Sequence, residues 1–382
     1  MKPYATNATR RVRGSLWLTA LFVCSGWGAE PLENSLLADD FRIPLWYKSF
    51  EVRGGPGYKD NVLLSANEAQ GSAFWMSGLE VMIYRLPTHG WQFNFFADAT
   101  DARYFDSPSV DNEQVVLAAG QLSKDFGHGW KSTVGLNYMF QNQVFDVSTT
   151  YTNQFSVGQV RGHTVTPRWS GRKAWGAWWT EIELNGTRQW LDAPLDSYWQ
   201  FGPRAAAGYG WGRGSEATLS YQWSRLDYDA REQVDEQGAV LPGSSLKLQS
   251  QQVELALTQE WGGKRRWQTV TRVSYSADSD NSSGYFDYYY YGIAQQVRYR
   301  DDNWEVRAQV RLGAYDYQTQ TISASDTAHR RKTAVQASLR AERKLAKHLK
   351  VYVSYNWDRS ISDLQFDDYE ASVVAGGAVV MF

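Results

Sequence analysis

Apolar and polar residues alternate along much of this chain, which is the pattern of β-strands that have one apolar face. Over residues 304–312 every second residue is apolar, and the residues between them are Glu, Arg, Gln and Arg. The same alternation recurs over residues 349–358 and 91–98. A helix would mix the two sets on one face, because its side chains repeat every 3.6 residues. The pattern therefore predicts a chain made of strands.

Short turns alternate with longer polar connections between these segments. Short turns are predicted at residues 87–90, 127–129, 171–173, 212–214, 262–264, 301–303 and 346–348. Longer connections are predicted at residues 102–113, 146–160, 226–247, 278–286, 315–330 and 358–369. Counting from a first strand near residues 61–65 to a last strand at 372–382 gives about sixteen strands. We therefore predict an all-β fold, a transmembrane antiparallel up-and-down β-barrel with both termini periplasmic.

The composition supports a membrane barrel over a soluble β-protein. The chain of 382 residues contains 18 Trp, 23 Tyr and 16 Phe, and such an excess of aromatics is expected of the two girdles of a barrel. Trp91, Trp130, Trp267 and Trp304 closely follow predicted short turns, where an interfacial ring would lie. The mean hydropathy of −0.51 disfavours membrane-spanning helices. A soluble sandwich remains the alternative, whereas a propeller would show a repeat of about 40 residues.

The N-terminus has the features of an export signal. Three arginines between residues 10 and 13 precede an apolar run at 16–24, and the small-x-small sequence at 26–28 offers a cleavage site. A lipoprotein signal ending at Cys24 is the alternative, but Val23 stands where such signals carry a small residue. Removal of the signal eliminates four basic residues and no acidic one, which moves the net charge from −2 to about −6.

These features divide the chain into three parts. We predict a signal peptide at 1–28, a short periplasmic segment at 29–45 and an outer-membrane barrel at 46–382. The mature chain has no cysteine and no basic excess, so neither disulfides nor nucleic-acid binding is expected. The expected location is the bacterial outer membrane.

The last residues match the strand signal that the outer-membrane assembly machinery reads. Phe382 closes an apolar alternating strand, with Val380, Ala378 and Val374 on the same face. Met381 departs from the pattern, because a polar lumen residue is more usual there. We predict Phe382 as the assembly signal, with the barrel assembly machinery and the membrane lipids as partners.

The sequence offers little for catalysis. The five histidines lie apart, and no Cys or carboxylate accompanies them at the spacing of metal ligands. No nucleophile elbow of the G-x-S-x-G type is apparent. We therefore expect no enzyme activity, no metal and no cofactor.

The polar faces of the predicted strands line a lumen that carries charges of both signs. The predicted lumen or translocation-path residues are Arg272, Arg298, Arg307, Arg311 and Arg340 on a basic side and Glu181, Glu183 and Glu254 on a more acidic side. A transverse field between such sides would orient polar solutes in the pore. Alternatively, these charges pair with each other and fill the interior. Lumen aromatics, to which sugar rings could stack, are predicted at Phe96, Tyr290, Tyr315 and Tyr352.

The segment Gly57-Tyr58-Lys59-Asp60-Asn61-Val62 resembles the Gly-Tyr-x-Asp-Asn-Val stretch that begins the barrels of bacterial exopolysaccharide-export proteins. More distantly, it resembles the barrels of surface-lipoprotein assembly modifiers. Both families often carry helical repeats before the barrel, and only about 20 residues lie between the predicted cleavage site and the first strand here. The resemblance implies export of an exopolysaccharide or capsule, with periplasmic and inner-membrane export proteins as partners.

Three functions remain open from the sequence. The leading hypothesis is an outer-membrane channel for polysaccharide export, and the second is a general or substrate-selective porin for small polar solutes. The third is an adhesive or structural barrel, in which the loop at 226–247 presents an acidic face to a surface partner. That face would carry Asp227, Asp229, Glu232, Asp235 and Glu236.

Overall fold

The computed structural model describes residues 45–382 except 108, 147–156, 213, 263–265, 324–325 and 365–366. The predicted signal peptide and all but the last residue of the 29–45 segment lie outside the described residues. Within the described part of the chain, no helix is long and apolar enough to cross a membrane. The described strands are β1 Trp46–Lys59, β2 Ser72–Thr88, β3 Trp91–Tyr104, β4 Asn112–Gly127, β5 Trp130–Asp146, β6 Val157–Trp175, β7 Trp178–Leu191, β8 Tyr198–Trp211, β9 Ser215–Tyr228, β10 Lys247–Trp261, β11 Trp267–Asp280, β12 Tyr288–Arg300, β13 Trp304–Ser323, β14 Asp326–Ala346, β15 Leu349–Ser362 and β16 Tyr369–Met381.

The strands form one closed antiparallel barrel. Each strand pairs with its sequence neighbours, and β1 pairs with β16 to close the cylinder. The prediction of an antiparallel up-and-down barrel of sixteen strands is confirmed. The predicted first strand at 61–65 was wrong, because β1 is Trp46–Lys59 and residues 61–65 lie in the following loop. The alternation in β1 is interrupted by Gly54, Gly55, Pro56 and Gly57, so the sequence pattern does not reveal this strand. Pairing with β2 and β16 holds it in place.

One end of the barrel, here called the turn end, carries short connections. Residues 89–90, 128–129, 176–177, 301–303 and 347–348 join successive strands there. The predicted turns at 212–214 and 262–264 also fall between strand ends, although residues 213 and 263–264 lie outside the described ones. The predicted turn at 171–173 was wrong. These residues lie inside β6, and the turn comes at Gly176, whose φ of +62° allows the reversal.

The opposite end, here called the loop end, carries longer connections. They span residues 60–71, 105–111, 192–197, 229–246, 281–287 and 363–368. The predicted long connection at 315–330 was wrong, because β13 continues to Ser323 and β14 begins at Asp326. Polar residues of this hairpin pair with each other inside the barrel, as Arg330 Nη1 does with Gln320 Oε1 at 2.8 Å. Their polarity therefore does not mark an exposed loop.

An aromatic girdle surrounds the turn end. Outward tryptophans at the starts of β1, β3, β5 and β13 each lie opposite a cation of the next strand. The cations lie 4.9–5.9 Å from the ring centres in the pairs Trp46–Arg85, Trp91–Lys124, Trp130–Lys173 and Trp304–Arg343. An amphipathic indole and a long basic side chain both suit the boundary between lipid and water.

The outer surface between the two ends is apolar. Side chains such as Leu79, Ile182, Leu255 and Val353 are exposed on it, and each alternates with a residue that faces the lumen. A closed barrel with an even number of strands, an apolar outside and aromatic girdles is the architecture of bacterial outer-membrane proteins. The predicted location in the outer membrane is confirmed.

The segment that carries the family resemblance fastens the first strand to the last. The backbone N–H of Asp60 donates to the carbonyl of Ser372 at 3.1 Å, and the Ser372 N–H donates to Asp60 Oδ1 at 2.7 Å. Asn61 Nδ2 donates to the Glu370 carbonyl at 2.9 Å, and Val62 is fully buried beside it. These contacts give the Asp-Asn-Val sequence a role in closing the barrel at its loop end.

Candidate functional site

All eight predicted lumen residues occupy inward-facing positions of their strands. Arg311 and Glu183 line the lumen directly. Arg272, Arg340, Glu181 and Glu254 alternate with exposed apolar neighbours, as Arg272 does with Val273, and therefore point inward. Arg298 and Arg307 share the face of Arg340, because Arg307 is in register with both. Their part in translocation stays a prediction.

Most of these charges are neutralised on their own side of the lumen. Glu305 lies 3.1 Å from Arg298 Nη2 and 2.5 Å from Arg307 Nη2. Arg340 Nε donates to Glu342 at 2.7 Å. Looser pairs, at 3.9 Å, join Arg204 to Glu181 and Arg168 to Glu183. The field across the lumen is therefore weaker than the sequence suggests, since the partners lie on the same or neighbouring strands.

Two of the predicted arginines differ from the others. Among the described residues, no carboxylate lies within ion-pair distance of Arg272 or Arg311. They lie at one level of the barrel, because both are in register with Ala294 of the strand between them. The small side chain of Ala294 leaves the lumen open between two positive charges.

Described residues of the lumen line two adjacent cavities of about 610 and 680 Å³. They share Arg311, Tyr315, Ala334 and Gln336, which mark the place where they meet. We call the first the amide cavity because of the side-chain amides that line it. These amides belong to Asn137, Asn185, Gln189, Gln200, Gln222, Gln252 and Gln336.

Four inward tyrosines of β12 and β13 form a ladder along one side of the lumen. Tyr288 is in register with Tyr317 and Tyr290 with Tyr315, and their ring centres are 5.5 and 4.9 Å apart. Gly292 and Gly313 make room for the Tyr290 ring, because a Cβ on either would come within 2.8 Å of that side chain. Three members of this tyrosine ladder, Tyr288, Tyr290 and Tyr315, line the amide cavity, whereas Tyr317 is fully buried.

The sequence prediction found half of the tyrosine ladder. It named Tyr290 and Tyr315 but missed Tyr288 and Tyr317. The run of four tyrosines at 288–291 carried the missing signal, because a strand places two of them on each face. Of the other predicted lumen aromatics, Phe96 lines the amide cavity, and Tyr352 lies 4.5 Å below the Arg340 guanidinium.

The end of β5 extends across the lumen near the loop end. Val144 packs with Val62 and Tyr369 on the side of β1 and β16. Phe145 packs against a second apolar cluster, built from β6 to β10 and their loops. Asp146 forms an ion pair with Lys332 of β14, which lies seven strand pairings from β5 and thus nearly opposite. We call residues 144–146 the β5 crossbar, because they connect three parts of the barrel.

A buried ion pair lies beside the β5 crossbar. Arg330 and Asp367 have side-chain exposures of 1% and 0%, and the Arg330 guanidinium lies 4.5 Å from the Tyr317 ring centre. Burial raises the pKa of the Asp367 carboxyl above its ordinary value, and the positive charge of Arg330 only partly opposes this effect. The loop end of the lumen is therefore narrowed by packed side chains, polar as well as apolar.

Four of the five acidic residues proposed for adhesion form hydrogen bonds within the molecule. Asp229 accepts two hydrogen bonds from Arg188, and Asp227 accepts one from Arg225. Glu232 and Asp235 accept backbone N–H groups of the same loop. These contacts shape the loop at 229–246, and they reduce the acidic surface available to a partner.

The described residues show no other chemical centre. No group of three or more His, Cys, Asp or Glu among them could hold a metal ion. His89 and His128 occupy turn positions with φ of 51° and 53°, next to glycines with φ of 79°. Such consecutive positive φ values are those of type I′ hairpin turns.

Several solved structures resemble this fold at low sequence identity. A bacterial polysaccharide outer membrane secretin is 11% identical with a TM-score of 0.42, and covers 88% of this chain and 97% of its own. An anion-selective porin from Comamonas acidovorans is 12% identical with a TM-score of 0.45, over 88% and 99% of the two chains. Pseudomonas aeruginosa OpdQ is 11% identical with a TM-score of 0.47, over 88% and 99%. No protein-family model and no curated protein sequence matches this chain.

Proposed function

We propose that this protein is an outer-membrane channel for the export of a polysaccharide. The observation that carries the proposal is the tyrosine ladder facing an amide-lined cavity inside the barrel. Sugar rings stack on aromatic faces, while amides and hydroxyls exchange hydrogen bonds with sugar hydroxyls. A porin for ions alone needs neither feature.

The orientation of the chain belongs to the same proposal. Barrels of this class carry short turns on the periplasmic side and long loops outside, so we propose that both chain termini lie in the periplasm. Periplasmic and inner-membrane export proteins would deliver the polymer to the turn end. The polymer would then pass Arg272 and Arg311, follow the tyrosine ladder and leave beside the β5 crossbar.

Deletion of the gene in its host tests export. We expect cell-surface polysaccharide to fall strongly, and the wild-type gene on a plasmid to restore it. A Tyr290→Ala, Tyr315→Ala double variant should restore less polysaccharide than a Tyr289→Ala, Tyr291→Ala variant, whose lost rings face outward. Unchanged surface polysaccharide in the deletion strain would refute export.

A diffusion porin is the second candidate, and the unpaired lumen arginines favour it. Arg272 and Arg311 would attract small anions into a water-filled pore. Purified protein in planar lipid bilayers separates the two candidates. A steadily open pore with anion selectivity would support the porin, whereas a pore that opens only in brief bursts between long closures would support gated export.

A further inference from the structure

The amide cavity contains polar groups that no part of the described chain satisfies. Gln189 is only 2% exposed, and its Nε2 has no hydrogen-bond partner, while its Oε1 accepts from the Tyr198 hydroxyl. The amides of Gln222 and Gln252 likewise make no hydrogen bond to a described residue. A buried donor without a partner is costly, so these groups are suited to a ligand that supplies hydroxyls.

Asp278 lines the same cavity as an acceptor. Asp278 is 7% exposed and accepts a hydrogen bond from the Ser276 hydroxyl at 2.8 Å, and the Ser250 and Tyr288 hydroxyls also donate to its carboxylate. Among the described residues, no cation lies within ion-pair distance of this carboxylate. The two oxygens of a carboxylate offer about four acceptor sites, so one remains for a sugar hydroxyl.

Strand register brings these groups together in two adjacent rows. Gln222, Gln252, Ser276 and Tyr290 follow one another on β9 to β12. Ser250, Asp278 and Tyr288 form the next row towards the loop end. Acceptors, donors and an aromatic face therefore lie side by side over four neighbouring strands.

The charges of the cavity are balanced. Within the described part of the chain, only four charged residues line it, namely Arg168, Arg311, Glu183 and Asp278. Glu183 is paired with Arg168 at 3.9 Å, so the charged residue that lies in the two rows described above is Asp278, which would repel an acidic sugar unit bound there. A neutral, hydroxyl-rich chain meets no such repulsion.

We propose that Asp278, Gln252 and Tyr290 form a binding subsite for a neutral sugar unit. Tyr290 supports the ring face, Asp278 accepts from one ring hydroxyl, and Gln252 donates to a second oxygen. This inference rests on the proposed function and narrows its substrate class to polysaccharides without acidic groups in the bound segment.

Blocking of the channel current by defined oligosaccharides tests the subsite. Purified wild-type protein in planar bilayers is titrated with cellohexaose, which is neutral, and with hexagalacturonate, which is acidic at each sugar. We expect cellohexaose to block the current at lower concentration. Asp278→Asn and Tyr290→Ala should each weaken this block about tenfold. Tyr290→Phe keeps the ring and should retain most of the binding, which separates loss of stacking from misfolding.

Matched outward substitutions serve as controls. Asp316→Asn and Tyr291→Ala alter the same residue types on the outer face, and they should leave the block unchanged. Stronger block by hexagalacturonate would overturn the neutral subsite while leaving a polysaccharide channel in place. A current that neither oligosaccharide blocks would refute both proposals. If cellohexaose blocked the Asp278→Asn variant at the same concentration as the wild type, the assignment of Asp278 would be overturned.

Discussion

At the scale of single residues, burial decides how much a charged side chain contributes. Arg330 and Arg331 are neighbours in β14, and each pairs with an aspartate. Arg330 is buried with Asp367, whereas the Arg331 side chain is 77% exposed and lies 3.7 Å from Asp316. Solvent screens the attraction between Arg331 and Asp316. If Arg330 or Asp367 lost its partner, the remaining charge would be buried without hydration.

We therefore expect Arg330→Ala to lower the free energy of unfolding by about 3–5 kcal/mol, because it leaves the buried Asp367 carboxylate without its counter-charge. Arg331→Ala should lower it by less than about 1 kcal/mol. Urea unfolding of both variants in lipid vesicles, followed by tryptophan fluorescence, measures the difference. Equal effects would show that the Arg330–Asp367 pair is hydrated.

At the scale of strands, the joint between β1 and β16 is the weakest in the barrel. It contains seven residue pairs, whereas every other joint contains at least twelve. The backbone groups of Phe50 and Asp60 form hydrogen bonds with β16, so those of every second residue between them face the same way. Pro56 is one of these residues, and it has no N–H to donate to β16. Glycines at 54, 55, 376 and 377 let the two backbones pack closely there.

Amide hydrogen exchange should reveal this weakness. We expect the amides of Gly54, Gly376 and Ala378, which face this joint, to exchange about tenfold faster than the amides at 205–208 and 217–220 that face the joint between β8 and β9. The reason is that fewer ladder hydrogen bonds must break for the first joint to open. Equal protection of the two joints would contradict this account.

At the scale of the whole barrel, the β5 crossbar connects opposite sides of the lumen. The ion pair between Lys332 and Asp146 joins the crossbar to β14, and the Lys332 side chain is buried. Substitution of Lys332 therefore removes this ion pair without changing a strand joint.

We expect Lys332→Ala to raise the single-channel conductance in planar bilayers, because the crossbar loses its attachment to β14. Lys350→Ala is the matched control. Lys350 also faces the lumen, but its partners Glu51 and Glu342 lie along the barrel wall, so the conductance should stay near the wild-type value. A conductance that Lys332→Ala leaves unchanged would show that the crossbar does not limit the pore.

The fold was largely accessible from the sequence, whereas the candidate site was only partly so. Alternation of period two determines which side chains face lipid, because successive residues of a strand point to opposite faces. This rule placed Arg272, Arg311 and Tyr290 inside the lumen. It could not reveal that Glu305 neutralises Arg298 and Arg307, because that contact depends on register between strands.

The sequence by itself determined a membrane barrel of sixteen strands, through its alternating pattern, its aromatic residues and its turns. Tertiary structure alone decided the extent of β1, the position of the β5 crossbar and the grouping of Asp278 with Gln252 and Tyr290. The physical reason is range: alternation and turn chemistry act between neighbours in the chain. Barrel closure, ion pairing and the shape of a cavity depend on residues far apart in sequence, which only register and packing bring together.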